Sequence, residues 1–157
     1  MSAASGAAGG QLRGSPAALV QRYWAQIQAR RWAQAQALLA PTAVCTWWAT
    51  RERFEGAASI IHVNAVYPEG WSLCLLELQP LPDGRVLSLL RVDHDGHSFY
   101  ATSFFALENG QIRAIDEYWC DVQAAPDWRV AQPLPGCRPL AGDTRPGLAL
   151  SIEVAEP

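Results

Sequence analysis

Four runs between Trp71 and Cys120 constrain this chain more than anything else in it. WSLCLLELQ, RVLSLLRVD, SFYATSFFAL and IRAIDEYWC are rich in leucine, β-branched and aromatic residues, the composition of a pleated, largely buried surface. PLPDGR, HDGH and ENGQ separate them, and Asp-Gly and Asn-Gly pairs are the chemistry of tight antiparallel turns. A fifth run of the same kind, VCTWWAT, lies upstream. Around it sit three helical patterns. Ser15-Pro16 has the form of an N-cap and first turn, and Leu19, Val20, Tyr23, Trp24 and Ile27 recur at helical spacing, which predicts a helix over 16–30. RWAQAQALLA predicts a second helix ended by Pro41, and EGAASIIHVNAVYPEG a third stopped near Pro68. The order is helix, helix, strand, helix, then four strands. That is an α+β layout: a curved antiparallel sheet with three N-terminal helices on one side.

The ends read differently. MSAASGAAGGQLRGS lacks the basic start and long apolar run of a secretory signal, so residues 1–15 read as a frayed terminus and a cytoplasmic location is the expectation. From Ala125 onward prolines stand at 126, 133, 135, 139 and 146 with little periodicity, so 130–157 reads as a tail in which 147–154 is a candidate edge strand. No apolar stretch approaches membrane-spanning length. The net charge is −3 and the sequence has neither a basic stripe nor a polybasic cluster, which gives no electrostatic footprint for nucleic acid. Four cysteines are scattered without metal-finger spacing and read as reduced thiols.

Two adjacent carboxylates, Asp116 and Glu117, interrupt IRAIDEYWCD. Strand alternation puts Glu117 with Ile115 and Trp119, and Asp116 with Ala114 and Tyr118, so Glu117 is the candidate inward acid. In RVLSLLRVD the same alternation groups Leu87, Leu89, Arg91 and Asp93. If both sets share one hollow, Arg91 holds two carboxylates through its planar fork, and one of them is left for general acid or base work. A structural ion-pair network without turnover is the alternative reading of the same trio.

Trp47, His62, Leu89, Tyr100, Phe104 and Trp119 are the candidate lining of that hollow, fitted to a small, largely apolar molecule. His94 and His97 have HxxH spacing, but the Asp-Gly between them is a hairpin turn, so no metal site is expected, nor any cofactor.

Four segments in order, RWAQAQALLAP, RFEGAASI, SFFALENGQI and DEYWCD, resemble the nuclear transport factor 2-like superfamily, and within it the SnoaL-like group, over residues 16–129. The resemblance implies a cystatin-like cone, a bent sheet wrapped on three helices with an apolar pocket at its open end. It also implies homodimers and, among enzymes of the fold, cofactor-independent cyclase, isomerase or hydrolase chemistry. Locally, Arg91-Val92-Asp93 and Glu117-Tyr118-Trp119 resemble the catalytic strands of the limonene epoxide hydrolase family. Glu117 then takes the place of the water-activating base, Asp93 of the acid and Arg91 of the bridge. The Tyr and Asn that hold the water in that family fall near Thr46 and Trp48, which do not reproduce them.

Overall fold

The computed structural model describes residues 14–151. The expectations for residues 1–13 and 152–154 lie outside the described residues. Helix α1 (Pro16–Gln28) starts where Ser15 Oγ accepts from the Ala18 N–H at 3.1 Å, and it buries Leu19, Val20, Tyr23, Trp24 and Ile27. It ends before Arg30, which has φ +58°, a left-handed conformation that costs an L-residue about 1–2 kcal/mol. The Arg30 guanidinium offsets this: it stacks on the Trp71 ring at 3.3 Å and donates to the Trp71 carbonyl at 2.7 Å.

Helix α2 (Trp32–Ala37) is shorter than its pattern suggests, because the chain is already extended in β1 (Leu39–Trp47). Pro41 sits in β1, inside an irregularity of register between Leu39 and Val44, a setting where a missing N–H is tolerated. Arg53-Phe54-Glu55 belongs to an edge strand β2 (Glu52–Glu55), so the third helix starts after Gly56 and not at Glu55. Gly56, at φ +93°, turns the chain from β2 into α3 (Ala57–Val66).

The meander then runs through β3 (Trp71–Pro80), β4 (Val86–His94), β5 (His97–Glu108) and β6 (Gln111–Asp121). Asp95-Gly96 and Asn109-Gly110 have positive φ at both positions, the type I′ geometry that closes two-residue hairpins. The six strands form one curved, unclosed sheet in the order β2-β1-β6-β5-β4-β3. Every pairing is antiparallel except β1 with β6, which run parallel. The three N-terminal helices fill its concave side, where Tyr23, Ile27, Ile60, Leu90, Phe105 and Ile115 form the core.

The tail wraps the domain. After a single helical turn, α4 (Asp127–Val130), it crosses to the outer face of the sheet, where Asp143 accepts from Tyr100 Oη at 2.6 Å. At the free edge of β3, Leu148 makes one antiparallel bridge to Leu75 instead of a strand.

Candidate functional site

An apolar cavity of about 210 Å3 opens between the concave sheet face and the helices. Its wall is mainly aromatic. Trp24 comes from α1, Tyr67 from the end of α3, Trp71 from β3, Phe99 from β5, Trp119 from β6 and Trp47 from β1. Four of these rings touch in sequence: Trp47 lies 6.2 Å from Trp119, Trp119 6.5 Å from Phe99, and Phe99 6.5 Å from Tyr67. The carboxyl and amide side chains in the wall are Asn64, Glu117 and Asp121, and no cationic side chain among the described residues lines it. Asn64 uses its amide Nδ2 on the Ile60 carbonyl at 2.7 Å.

Glu117 is placed by register. Its strand neighbours are Ser103 on β5 and Trp47 on β1. Beneath it the Cys45 thiol donates to Oε2 at 3.7 Å, the sole hydrogen bond made by this carboxyl among the described residues. Burial pushes the Glu117 pKa up from its ordinary 4.5 to about 7, and the Cys45 thiol opposes that only in part. The effect is mutual. Burial raises the Cys45 thiol first, and the nearby carboxylate raises it further; the Trp47 indole pulls the other way without closing a hydrogen bond. The buried Tyr23 phenol is likewise raised by burial, then by Cys45 and Glu117. Glu117 is thus a carboxyl in a mostly apolar environment with no cation to hold it ionised.

Arg91 and Asp93 are not there. The residues of β4 buried on the concave side are Val86, Ser88, Leu90 and Val92, so Leu87, Leu89, Arg91 and Asp93 face the opposite, outer side. The expectation that this trio meets in one hollow is corrected by that register. Arg91 pairs with Asp93 at 3.0 Å and donates to the Asp143 carbonyl at 2.9 Å, which fastens the tail to the sheet. Of the candidate lining residues, Trp47 and Trp119 line the cavity. Leu89 and Tyr100 share the outer face with Arg91, and Phe104 lies there beneath the Arg85 guanidinium, 5.1 Å from its ring. His62 is exposed on α3.

No protein-family model matches the sequence, and no curated protein is significantly similar to it. The fold, in contrast, recurs in solved structures. A candidate ketosteroid isomerase of Kribbella flavida DSM 17836 superimposes with a TM-score of 0.66 at 23% identity, over 77% of this chain and 90% of that one. A protein like nuclear transport factor 2, of unknown function, from Burkholderia xenovorans LB400 gives 0.65 at 16% identity, over 79% and 97%. An LEH-like epoxide hydrolase of M. tuberculosis gives 0.57 at 15%, over 67% and 82%. The chain has the nuclear transport factor 2-like fold.

Within that fold, two neighbours of Glu117 and two residues of the cavity wall were absent from the candidate site read in the sequence. Cys45 and Tyr23 become neighbours of Glu117 only through the parallel β1–β6 pairing and the docking of α1, neither of which leaves a local signal. Tyr67 and Asp121 lie at element ends, where alternation and helical phase lose their meaning. Among the described residues, no helix is long and apolar enough to cross a membrane.

Proposed function

We propose that this is a SnoaL-like protein whose cavity holds one small, largely apolar ring compound and whose Glu117 carboxyl exchanges a proton with it. The observation that carries the reading is a carboxyl with a pKa of about 7 and no cationic partner, set in an aromatic wall. Near neutral pH such a group is divided between acid and base, the condition under which one residue both takes and returns a proton. An engineered cavity of about 150 Å3 accepts benzene, so about 210 Å3 suits a single substituted ring. That the neighbours of the same fold include a candidate ketosteroid isomerase supports proton transfer. A triad of the epoxide hydrolase kind is disfavoured, because Arg91 and Asp93 lie across the sheet from Glu117.

One observation favours a second reading, a binding module without turnover. Apart from the Cys45 thiol, Glu117 has no hydrogen-bonding neighbour among the described residues to orient it. A panel of small cyclic ketones in deuterated buffer separates the two. Exchange of the hydrogens beside the carbonyl, abolished in Glu117→Gln, is the expected result. Thermal stabilisation by a panel member without Glu117-dependent exchange leaves the binding module.

We also infer a cytoplasmic homodimer. The four free cysteines fit a reducing compartment. The stacked, exposed rings of Trp48 and Tyr118 offer an outer face for self-association. Sedimentation of wild type and Tyr118→Arg at micromolar concentration tests the second point: an unchanged mass sinks that interface.

A further inference from the structure

The cavity combines a wall rich in aromatic rings with acids and, among the described residues, no cationic side chain. Among the described residues, six rings line it, and Glu117 and Asp121 are its only ionisable groups apart from the Tyr67 phenol. The face of an aromatic ring carries negative potential and attracts cations, most strongly when the contact is dry. The molecule already uses one of these rings in this way, since the Arg30 guanidinium sits 3.3 Å from the Trp71 centroid. Arg30 does not line the cavity, and its charge is matched by Glu69 at 3.0 Å. It therefore does not balance the two cavity acids. Nor do the indole donors: Trp47 Nε1 and Trp71 Nε1 are shut away from the void as well as unpartnered. Among the described residues, an anion entering this space would meet carboxylates and ring faces with no cationic side chain in the wall to receive it.

We propose that the cavity selects a small organic cation, a single-ring amine or quaternary ammonium, over a neutral or anionic ring of the same size, with the aromatic wall and the two carboxylates receiving its charge. The proposal rests on the reading of the cavity as a ligand site. It adds the sign of the ligand's charge. Glu117, which has no cation of its own, gains from such a ligand the kind of partner that three other carboxylates find in an arginine: Asp93 in Arg91, Asp143 in Arg145, Glu69 in Arg30.

Three probes of nearly equal size test it: benzylamine, benzyl alcohol and benzoate, titrated at pH 8 by calorimetry and by tryptophan fluorescence. At that pH the amine is protonated and Glu117 lies above its pKa of about 7. A desolvated cation–π contact of about 2 kcal/mol corresponds to about thirtyfold, so the amine is expected to bind about thirtyfold tighter than the alcohol, with benzoate weakest. In Glu117→Gln and Asp121→Asn the amine should lose affinity while the alcohol keeps its own. If the alcohol or benzoate binds as tightly as the amine, charge selection is overturned and the apolar ligand site stands. Equal losses for amine and alcohol in a folded Glu117→Gln also overturn it, since the carboxyl would then be shaping the cavity and not attracting charge. If none of the three binds, this proposal and the ligand-site reading fall together.

Discussion

Replacing Glu117 with glutamine should stabilise the protein at neutral pH and above. In the unfolded chain the carboxyl titrates near 4.5, whereas burial in the folded protein moves it to about 7. At pH 4 both states carry the proton and the group has no effect on stability. Between 4.5 and 7 the unfolded chain releases its proton while the folded protein keeps it, so stability falls as pH rises. Above about 7 the loss is complete. A tenfold difference in proton affinity is about 1.4 kcal/mol, so the total is about 3 kcal/mol, on the order of 10 °C in Tm for a domain of this size. Glutamine keeps nearly the same volume and does not titrate. The difference in Tm between variant and wild type, followed by circular dichroism from pH 4 to 8.5, should be a small constant in acid, climb through the interval from 4.5 to 7, and level off above it. Titrating groups that do not interact with Glu117 cancel in that difference, and burial raises the two that do, the Cys45 thiol and the Tyr23 phenol. A difference that is flat with pH, or one that turns against the variant as pH rises, would refute the reasoning, because either outcome means Glu117 is held ionised by a partner or by bulk water.

Three other outcomes follow from the same contacts. Cys45→Ala removes the one hydrogen bond that steadies the ionised carboxyl, so that stability difference should go on climbing past pH 7 before it levels off, and the carboxyl carbon titration seen by NMR should move above 7. Trp24→Phe deletes the indole donor 3.0 Å from the fully buried Ser88 Oγ and should cost about 1–3 kcal/mol in urea unfolding, part of which Ser88→Ala restores. A thiol reagent on the native protein should modify the exposed Cys120 and Cys137 quickly and Cys45 only on unfolding; fast loss of all four would mean that the cavity floor opens.

What the sequence could reveal depended on how local each cause was. The Asp95-Gly96 and Asn109-Gly110 turns were legible because the positive φ at both positions is a property of two residues. Alternation in β6 was legible because Ile115 and Trp119 outweigh Ala114 on the face that Glu117 shares. In β4 the same rule misled, since both faces are apolar: Leu87 and Leu89 on one, Val86, Leu90 and Val92 on the other. Ser88, the polar residue of the second set, is fully buried against the Trp24 indole, a contact 64 residues away in the chain. His62 sits on α3, where AASIIHVNAV is apolar on nearly every side and its phase against the core cannot be read. The strap at Asp143 had no periodicity to betray it. It works through Arg91, Tyr100 and Arg145, which only the folded sheet brings together.

The two adjacent acids of β6 show where stability has been given up. Asp116, on the outer side, accepts from the Trp48 indole at 2.8 Å. Glu117, one residue on, is turned into an aromatic cavity and lacks a cation, at a penalty of about 3 kcal/mol near and above neutral pH. The cavity adds to that, because unfilled space forfeits the packing that its lining residues would otherwise have. A glutamine or leucine at this position would remove the first cost, and a larger side chain at Ala101, also in the wall, would reduce the second. Both are single substitutions in a domain whose whole stability is on the order of 10 kcal/mol. Selection for folding alone has easy ways to erase this arrangement. A carboxyl and a void side by side are the combination that the proposed ligand would use.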